Sequence, residues 1–158
     1  MWTTGCTTAG HAGVGIVARS HLRPRFQMIS DRLAVAEIRP PGFRKMTFII
    51  AYVPQRHGVE RATFFVALET LMGENPTATL LGDFNALAED EDMAGITATH
   101  VLLNAHFPQR LGGWTWRSYS GARFGTRKID FIGWPRGRLW EVSNAQVRHT
   151  LLRTDHRM

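Results

Sequence analysis

The chain has 158 residues, enough for one domain with a sizeable core and too few for two of ordinary size, so we expect a single domain over residues 1–158. It carries 19 Lys and Arg against 13 Asp and Glu, and this net charge of +6 favours a polyanionic partner such as nucleic acid, although a basic surplus also serves solubility alone. No apolar run approaches the ~20 residues of a membrane span. Cys6 is the single cysteine, which excludes an intrachain disulfide and favours a reducing compartment.

Many short strands are predicted, because Gly and Pro punctuate the chain at short intervals, as turns between strands require. In chain order the predicted strands are residues 12–18, 33–38, 46–53, 77–81, 114–118, 129–133 and 141–148. The second and third are separated by the turn-rich Arg39-Pro40-Pro41-Gly42, so we expect them to form a hairpin.

The strongest predicted helix covers residues 60–72. Its apolar side chains recur at the spacing of one helical face, and they are Phe64, Phe65, Leu68, Leu71 and Met72. Gly73 stands where a C-terminal cap belongs, and a weaker helix is predicted for residues 96–103. Strands and helices do not alternate strictly, so the pattern predicts an α/β sandwich with helices flanking sheets rather than a doubly wound nucleotide-binding fold.

The most informative stretch runs from Leu80 to Ala86 and reads Leu-Leu-Gly-Asp-Phe-Asn-Ala. An apolar strand ends there at Gly82, and Asp83 and Asn85 follow with one residue between them. If the chain stays extended past Gly82, both side chains point to the same side. A carboxylate there can orient or deprotonate a water, and an amide can hold a phosphate oxygen. The alternative is an Asx-type turn that closes the strand.

Two further stretches place titratable groups toward the C-terminus. Asp130 interrupts an apolar run, and its burial is costly unless a partner is present; alternatively it faces outward from an alternating strand. Thr154-Asp155-His156 sets a hard oxygen ligand beside an imidazole, and His156 taken alone fits a surface histidine. A buried Asp130 that accepts a hydrogen bond from His156 would fix its tautomer and raise its pKa, giving a cationic phosphate partner or a proton donor.

In this order, the motifs of the chain resemble those of the exonuclease–endonuclease–phosphatase superfamily, the fold of pancreatic-type DNases and abasic-site endonucleases. The motifs are Gly82-Asp83-Phe84-Asn85-Ala86, Trp114-Thr115-Trp116, Lys128-Ile129-Asp130-Phe131-Ile132 and Thr154-Asp155-His156. Upstream, the Gly-rich strand at 13–16 and the Tyr-Val-Pro at 52–54 are similar to the family's early strand and its Tyr-x-Pro strand end.

The stretch around Phe107-Pro108 and residues 113–118 looks like the endonucleases of non-LTR retrotransposons and their craniofacial-development-protein-like relatives. The resemblance covers residues 11–156. It implies a four-layer α/β sandwich in which two packed, mostly antiparallel sheets are flanked by helices.

The resemblance also implies a reaction, the divalent-metal-dependent hydrolysis of a DNA phosphodiester by an activated water. Asp83 would orient or activate that water, and Asn85 would bind the scissile phosphate. His156, held by Asp130, would stabilise charge on the phosphate, and Asp155 would help bind Mg²⁺ or Mn²⁺.

Two aromatic residues receive roles by the same resemblance. Tyr52 would reach the phosphate with its hydroxyl, and Trp116 matches an aromatic near the pocket for a flipped-out nucleotide, with core packing as its alternative. The implied partner is DNA, with no membrane and no small-molecule cofactor. A fused reverse transcriptase in the parent element is an option, and the expected location is intracellular, with the nucleus as one option.

The sequence departs from the family pattern at both ends. The family's opening strands, one with an Asn and one with a metal-binding Glu, would precede His11, and its closing strand would follow His156, so we expect a partial domain that binds Mg²⁺ weakly. Glu37 does not lie in the family's Gln-Glu context. Two alternatives therefore stay open, a catalytically impaired remnant with residual DNA binding, and a lipid or inositol-phosphate phosphatase of the same superfamily.

The acidic run Glu89-Asp90-Glu91-Asp92 is expected to be a solvated loop, since like charges in series repel each other and prefer water. The other histidines show no metal-ligand spacing and are expected at the surface or in the core; they are His11, His21, His57, His100, His106 and His149.

Overall fold

The computed structural model describes residues 2–6, 13–22, 24–107, 113–118, 125–145 and 156, with residues 2–6 and Ser20 described by their backbone alone. The chain divides into two compact units, Met1–Gly82 and Asp83–Met158. Among the described residues, no helix is long and apolar enough to cross a membrane.

The first unit is built mainly of strands. They are Trp2–Cys6 (β1), Gly13–Val17 (β2), Arg25–Ser30 (β3), Leu33–Ile38 (β4), Met46–Tyr52 (β5) and Thr79–Asp83 (β6), the last ending on the first residue of the second unit. Strands β3, β4, β5 and β6 are neighbours in that order, and β1 and β2 form a separate antiparallel pair. Because β2 contacts β4 and β5, the small sheet lies against the larger one.

The predicted hairpin is confirmed, with β4 and β5 antiparallel from Leu33 opposite Ala51 to Ile38 opposite Met46. Small and β-branched side chains fill the core at this point. The residues of this region with at most 2% exposure are Leu33, Ala34, Ala36, Ile49, Ala51 and Val53. The turn at 39–45 is solvated, and there Lys45 donates a hydrogen bond of 2.5 Å to Glu37 Oε1.

The helix Val59–Glu74 (α1) is longer than predicted by one residue at its start and two at its end. Gly73 is therefore not the cap. The helix ends at Asn75, whose backbone N–H donates to Leu71 and Met72 and whose side-chain amide donates to the Leu71 carbonyl at 3.0 Å. These bonds satisfy carbonyls of the last turn without a left-handed glycine.

Arg61, in the first turn of α1, was not predicted to be buried, yet only 2% of its surface is exposed. Its Nη1 donates to the Pro54 carbonyl at 2.7 Å, and its guanidinium carbon lies 5.2 Å from the centre of the Phe65 ring. Hydrogen bonding and ring stacking offset the loss of hydration of the cation. Arg61 thereby fixes the segment that follows β5 to α1.

The second unit contains shorter elements. They are the 3₁₀ turn Glu91–Met93, Ala94–Thr99 (α2), His100–Leu102 (β7), Leu103–His106 (α3), Trp116–Arg117 (β8), Thr126–Arg127 (β9), Asp130–Pro135 (β10) and the 3₁₀ helix Arg136–Glu141. Strand β10 is antiparallel to β7, with Gly133 opposite Leu102, and β8 pairs with β9.

The single helix predicted for 96–103 is wrong. Helix α2 ends at Thr99, because His100 adopts an extended conformation (φ −123°, ψ 151°) and begins β7. All three β7 residues are buried, and β-branched Val101 suits a strand paired with β10 better than a helix.

The strand predicted for 141–148 is also wrong in its described part. Glu141 closes the 3₁₀ helix, where its carboxylate pairs with Arg138 at 2.6 Å, and residues 142–145 are not in a strand. The indole N–H of Trp134 donates to the Arg138 carbonyl at 3.0 Å and holds the same turn. Residues 146–148 lie outside the described residues.

Candidate active site

Asp83 lies at the end of β6, immediately after a glycine that the packing requires. A Cβ atom on Gly82 would lie 1.9 Å from the Ala51 carbonyl oxygen of β5, closer than any side chain tolerates. A glycine is therefore needed at this position, because the backbone of β6 passes close to β5 just before Asp83.

The chain does not stay extended through Asn85, and of the two alternatives the Asx-type turn is observed. Asn85 has a positive φ of 47°, and its backbone N–H donates to Asp83 Oδ1 at 2.9 Å. Asparagine tolerates this left-handed conformation better than most residues, and an aspartate two residues earlier supplies the acceptor. Phe84, with 0% exposure, anchors the turn against Phe131 at a ring distance of 6.0 Å.

The second unit brings Asp130 and His156 together. Asp130 is 7% exposed at the start of β10, and both of its carboxylate oxygens lie 3.0 Å from His156 Nδ1. Asp130 therefore does not face outward to solvent. Since a carboxylate accepts, Nδ1 carries the proton in this pair, and the orientation of the imidazole is fixed by the buried carboxylate.

Asp83 completes a group of three with this pair. Its Oδ2 lies 4.0 Å from His156 Nε2, and one ligand atom from each of Asp83, Asp130 and His156 lies within 4.8 Å of the others. Phe84 N–H donates to the Ile129 carbonyl at 2.7 Å, so the turn that carries Asp83 is tied directly to the residue before Asp130.

These groups have complementary chemistry. A carboxylate lies at each side of the imidazole, that of Asp130 at Nδ1 and that of Asp83 near Nε2. A protonated His156 offers Nε2–H to a phosphate oxygen, and the neutral ring offers Nε2 as an acceptor.

Trp116 lies beside this group through its main chain. It forms an antiparallel bridge with His156 and pairs with Arg127 in the short β8–β9 ladder. Its side chain is half-buried rather than part of the fully buried core. The structure therefore brings Trp116 next to His156, and its contact with substrate stays a prediction.

The remaining residues predicted for the site are Tyr52 and Asp155. Tyr52 ends β5 in the first unit, half-buried, with the Arg32 guanidinium carbon 4.8 Å from its ring centre. Asp155 and the neighbouring Thr154 lie outside the described residues.

The described residues meet only part of what a hard divalent cation requires. Mg²⁺ and Mn²⁺ prefer carboxylate oxygens, and Asp83 offers them, but both oxygens of Asp130 are engaged with His156 Nδ1. An imidazole is a poor Mg²⁺ ligand. The Asp130–His156 pair thus fits proton and charge chemistry better than metal ligation, which leaves Asp83 as the fitting ligand among the three.

The acidic run is exposed over Glu89, Asp90 and Glu91, and Asp90 Oδ2 accepts the Leu87 N–H at 2.8 Å to close the loop. His100, by contrast, is a buried core histidine whose Nδ1 lies 2.9 Å from Thr99 Oγ1. Glu37 is engaged by Lys45, whose ammonium group lowers its pKa.

A groove of about 460 Å³ lies on the second unit, lined by Leu103, Asn104, Ile132, Trp134 and residues 141–145. Its one carboxylate, Glu141, pairs with Arg138. Among the residues that line the groove, the one nucleophile is the Ser143 hydroxyl, so the groove does not resemble a hydrolytic centre.

Sequence reasoning missed two buried polar residues that hold Asp130, namely Thr115 and Asn104, with 1% and 7% exposure. Thr115 lies inside the Trp-Thr-Trp motif, which was the one signal able to reveal it. Asn104 comes directly after the helix predicted for residues 96–103, and no pattern in the sequence distinguishes it.

No family model matches the chain, and no curated protein matches it in sequence. Solved structures do match it. The endonuclease domain of TRAS1, a telomere-specific non-LTR retrotransposon, is 12% identical and superposes with a TM-score of 0.74 over 99% of this chain and 76% of that one.

Two structures of DNA-bound enzymes are also similar. The 3′ phosphatase NExo from Neisseria, bound to a product DNA hairpin, is 16% identical, with a TM-score of 0.62 over 85% of this chain and 67% of that chain. TDP2 from D. rerio, in complex with a single-strand DNA product, is 14% identical, with a TM-score of 0.60 over 99% of this chain and 72% of that chain.

Proposed function

We propose that this chain, which has the DNase-like α/β fold, is a phosphodiesterase that hydrolyses DNA by attack of a water on the phosphorus. The observation that carries the proposal is the group formed by Asp83, Asp130 and His156. A buried carboxylate holds an imidazole there, while a second carboxylate stands on the other side of the ring.

In this proposal His156 stabilises the negative charge that develops on the phosphate oxygens. Asp130 holds Nδ1, so Nε2 is the ring atom presented to the phosphate. A fixed donor aimed at a developing charge needs no reorganisation during the reaction and contributes most where water is excluded.

Asp83 acts on the water. Its Oδ1 is fixed by the Asn85 N–H, and its Oδ2 lies 4.0 Å from Nε2, too far for a direct hydrogen bond. Asp83 therefore does not serve to hydrogen-bond the imidazole directly. An oriented carboxylate is suited to position a nucleophilic water. The Asn85 amide is proposed to bind the scissile phosphate.

The proposal includes Mg²⁺ or Mn²⁺, held by oxygen ligands of Asp83 and Asp155. When bound, such an ion neutralises charge on the phosphate. Tyr52 and Trp116 are proposed to contact the phosphate and the nucleotide, respectively.

DNA is the proposed substrate, because the net charge of +6 suits a polyanion and because the similar enzymes NExo and TDP2 are described with DNA products. The similarity to the endonuclease domain of TRAS1, a non-LTR retrotransposon, supports internal cleavage. A parent element with a fused reverse transcriptase is part of the proposal.

The test is nicking of supercoiled plasmid with Mg²⁺ or Mn²⁺ by the wild type and by Asp83→Asn. This variant keeps an oxygen acceptor for the Asn85 N–H but removes the charge, so we expect the turn to persist and nicking to fall by at least about 100-fold. Glu89→Gln is the matched control, since it neutralises an exposed carboxylate of the same unit. Nicking that survives Asp83→Asn, or that persists in EDTA, would reject the proposed mechanism.

The removal of a 3′-phosphate from DNA is tested in the same experiment, because NExo is a 3′ phosphatase. Release of inorganic phosphate from a hairpin with a 3′-phosphate, without plasmid nicking, would assign a phosphomonoesterase instead. Release from an inositol phosphate alone would favour the lipid or inositol branch of the superfamily. Tight DNA binding by folded protein without release of any product would indicate a binding module.

A further inference from the structure

The carboxylate of Asp130 is useful only if its main chain holds it opposite His156 Nδ1. Thr115 supplies one half of that support. Its Oγ1 accepts the backbone N–H of Asp130 and that of Ile129, each at 2.9 Å, and Thr115 itself is 1% exposed. A single buried hydroxyl thus fixes two successive peptide groups where β10 begins.

Asn104 supplies the other half from α3. Its Nδ2 donates to the Asp130 carbonyl at 2.7 Å, and its Oδ1 accepts no hydrogen bond within the described part of the chain. A buried, unsatisfied amide oxygen is unfavourable, and a leucine of similar size would avoid that penalty but would leave the Asp130 carbonyl without this donor. The asparagine therefore holds the main chain of Asp130 and leaves one of its own oxygens unsatisfied.

The residue after Thr115 reaches the other member of the pair. Trp116 forms a backbone bridge with His156, so residues 115 and 116 contact both Asp130 and His156. Phe84 N–H donates to the Ile129 carbonyl, which ties in the turn of Asp83 as well. Every backbone N–H and carbonyl of Ile129 and Asp130 is thereby engaged by a segment of the site.

We propose that Thr115 and Asn104 are positioning residues for the hydrolytic reaction, acting through Asp130 on the orientation of His156. This inference rests on the proposed function. Neither side chain touches the reacting atoms in this arrangement. Their removal should lower kcat by on the order of 10-fold to 100-fold and leave KM within about 2-fold, because substrate contacts are unchanged while His156 is misplaced.

The experiment compares Thr115→Val, Thr115→Ser and Asn104→Leu in nicking at varied plasmid concentration. Valine keeps the shape of threonine but removes the acceptor, whereas serine keeps the hydroxyl, so Thr115→Ser should retain at least half of the wild-type kcat. Asn104→Leu removes the unsatisfied oxygen but also the donor to the Asp130 carbonyl, so we expect a lower melting temperature and, at a temperature where the variant is still folded, a kcat that falls by more than the folded fraction explains.

A double-mutant cycle with Asp130→Asn separates positioning from general loss of structure. If Thr115 acts through Asp130, Thr115→Val should reduce kcat by less than about 2-fold in the Asp130→Asn background. Losses that multiply, or a kcat that falls only in proportion to the folded fraction, would overturn the proposal.

A spectroscopic measurement keeps the inference testable if no nicking is found. The proton on His156 Nδ1 should give a downfield NMR resonance in the wild type, since it is hydrogen-bonded to a buried carboxylate. We expect this resonance in Thr115→Ser and its loss in folded Thr115→Val and Asn104→Leu. Its persistence in the last two would refute the positioning role independently of the proposed function.

Discussion

At the scale of single residues, the candidate site depends on three titratable side chains and on the left-handed backbone of Asn85. Asp83, Asp130 and His156 were singled out from three motifs, and the structure brings their side chains together. The conformation of Asn85 was not predictable, because the same Gly-Asp-Phe-Asn letters suit an extended chain and an Asx turn. The choice depends on packing around Phe84, which is fully buried.

The left-handed conformation of Asn85 allows its backbone and side-chain roles to be separated. Asn85→Ala should destabilise the fold by about 1 kcal/mol, since a Cβ residue without a local polar group is strained at φ 47°, whereas Asn85→Gly should be close to neutral. Chemical denaturation measures both. Because both variants lack the amide, a loss of nicking shared by the two reports the side chain, and a loss confined to Asn85→Ala would instead implicate the backbone.

The Glu37–Lys45 pair provides a pH-dependent contribution to stability. The Lys45 hydrogen bond, against a smaller opposing effect of burial, lowers the pKa of Glu37 below its ordinary value of 4.5. The stabilisation is therefore present above pH 4.5 and is lost as the pH falls through the lowered pKa.

We expect Glu37→Gln to be less stable than the wild type at pH 7, by well under about 1 kcal/mol because the pair is partly solvated, and equal to it at about pH 2. Urea titrations at the two pH values measure the difference. In a Lys45→Met background, the difference should nearly vanish at pH 7, and a persistent gap there would contradict this origin.

At the scale of elements, the strands with continuous apolar sequence were predictable and the rest were not. Strands β4 and β5 were placed to within a residue because each carries an uninterrupted core sequence. Strand β3 was missed, since its alternation of exposed Arg25 and Gln27 with half-buried Phe26 and Met28 is short and polar. The break between α2 and β7 depends on pairing with β10, which no local sequence signal reports.

Two glycines should respond oppositely to the same change. Gly82→Ala brings a Cβ to within 1.9 Å of the Ala51 carbonyl, so β6 or β5 must shift, and we expect a loss of at least about 3 kcal/mol. Gly73 lies in α1 with no atom within 4 Å of its added Cβ, so Gly73→Ala should gain about 0.5–1 kcal/mol. Thermal unfolding of both variants measures the two effects. A tolerated Gly82→Ala would show that the approach of β6 to β5 is not close in solution.

At the scale of the whole molecule, the predicted α/β class of pancreatic-DNase type is confirmed by likeness to solved structures. That likeness holds at 12–16% identity, with 12% for TRAS1 and 16% for NExo. At such identity the fold is retained by the pattern of buried positions rather than by particular residues. The motifs around Asp83 and Asp130 were what made the class visible from the sequence.

The basic surplus leads to a prediction about the proposed binding of DNA. With cleavage suppressed by Asp83→Asn and EDTA, the logarithm of the association constant for a duplex oligonucleotide should fall linearly with the logarithm of the salt concentration. Fluorescence anisotropy between 50 and 200 mM salt, at roughly five concentrations, measures the slope. An affinity that does not change with salt would show that phosphate contacts do not drive binding.

Strand β3 lies at the end of the order β3, β4, β5, β6, and its pairing with β4 is interrupted by a bulge between Met28 and Ser30. An incoming strand from another molecule would meet Arg25 and Gln27 on the outer side and would lose its register at the bulge. The polar alternation that hid β3 from sequence analysis, together with the bulge, thus makes this border of the sheet a poor template for the growth of a fibril.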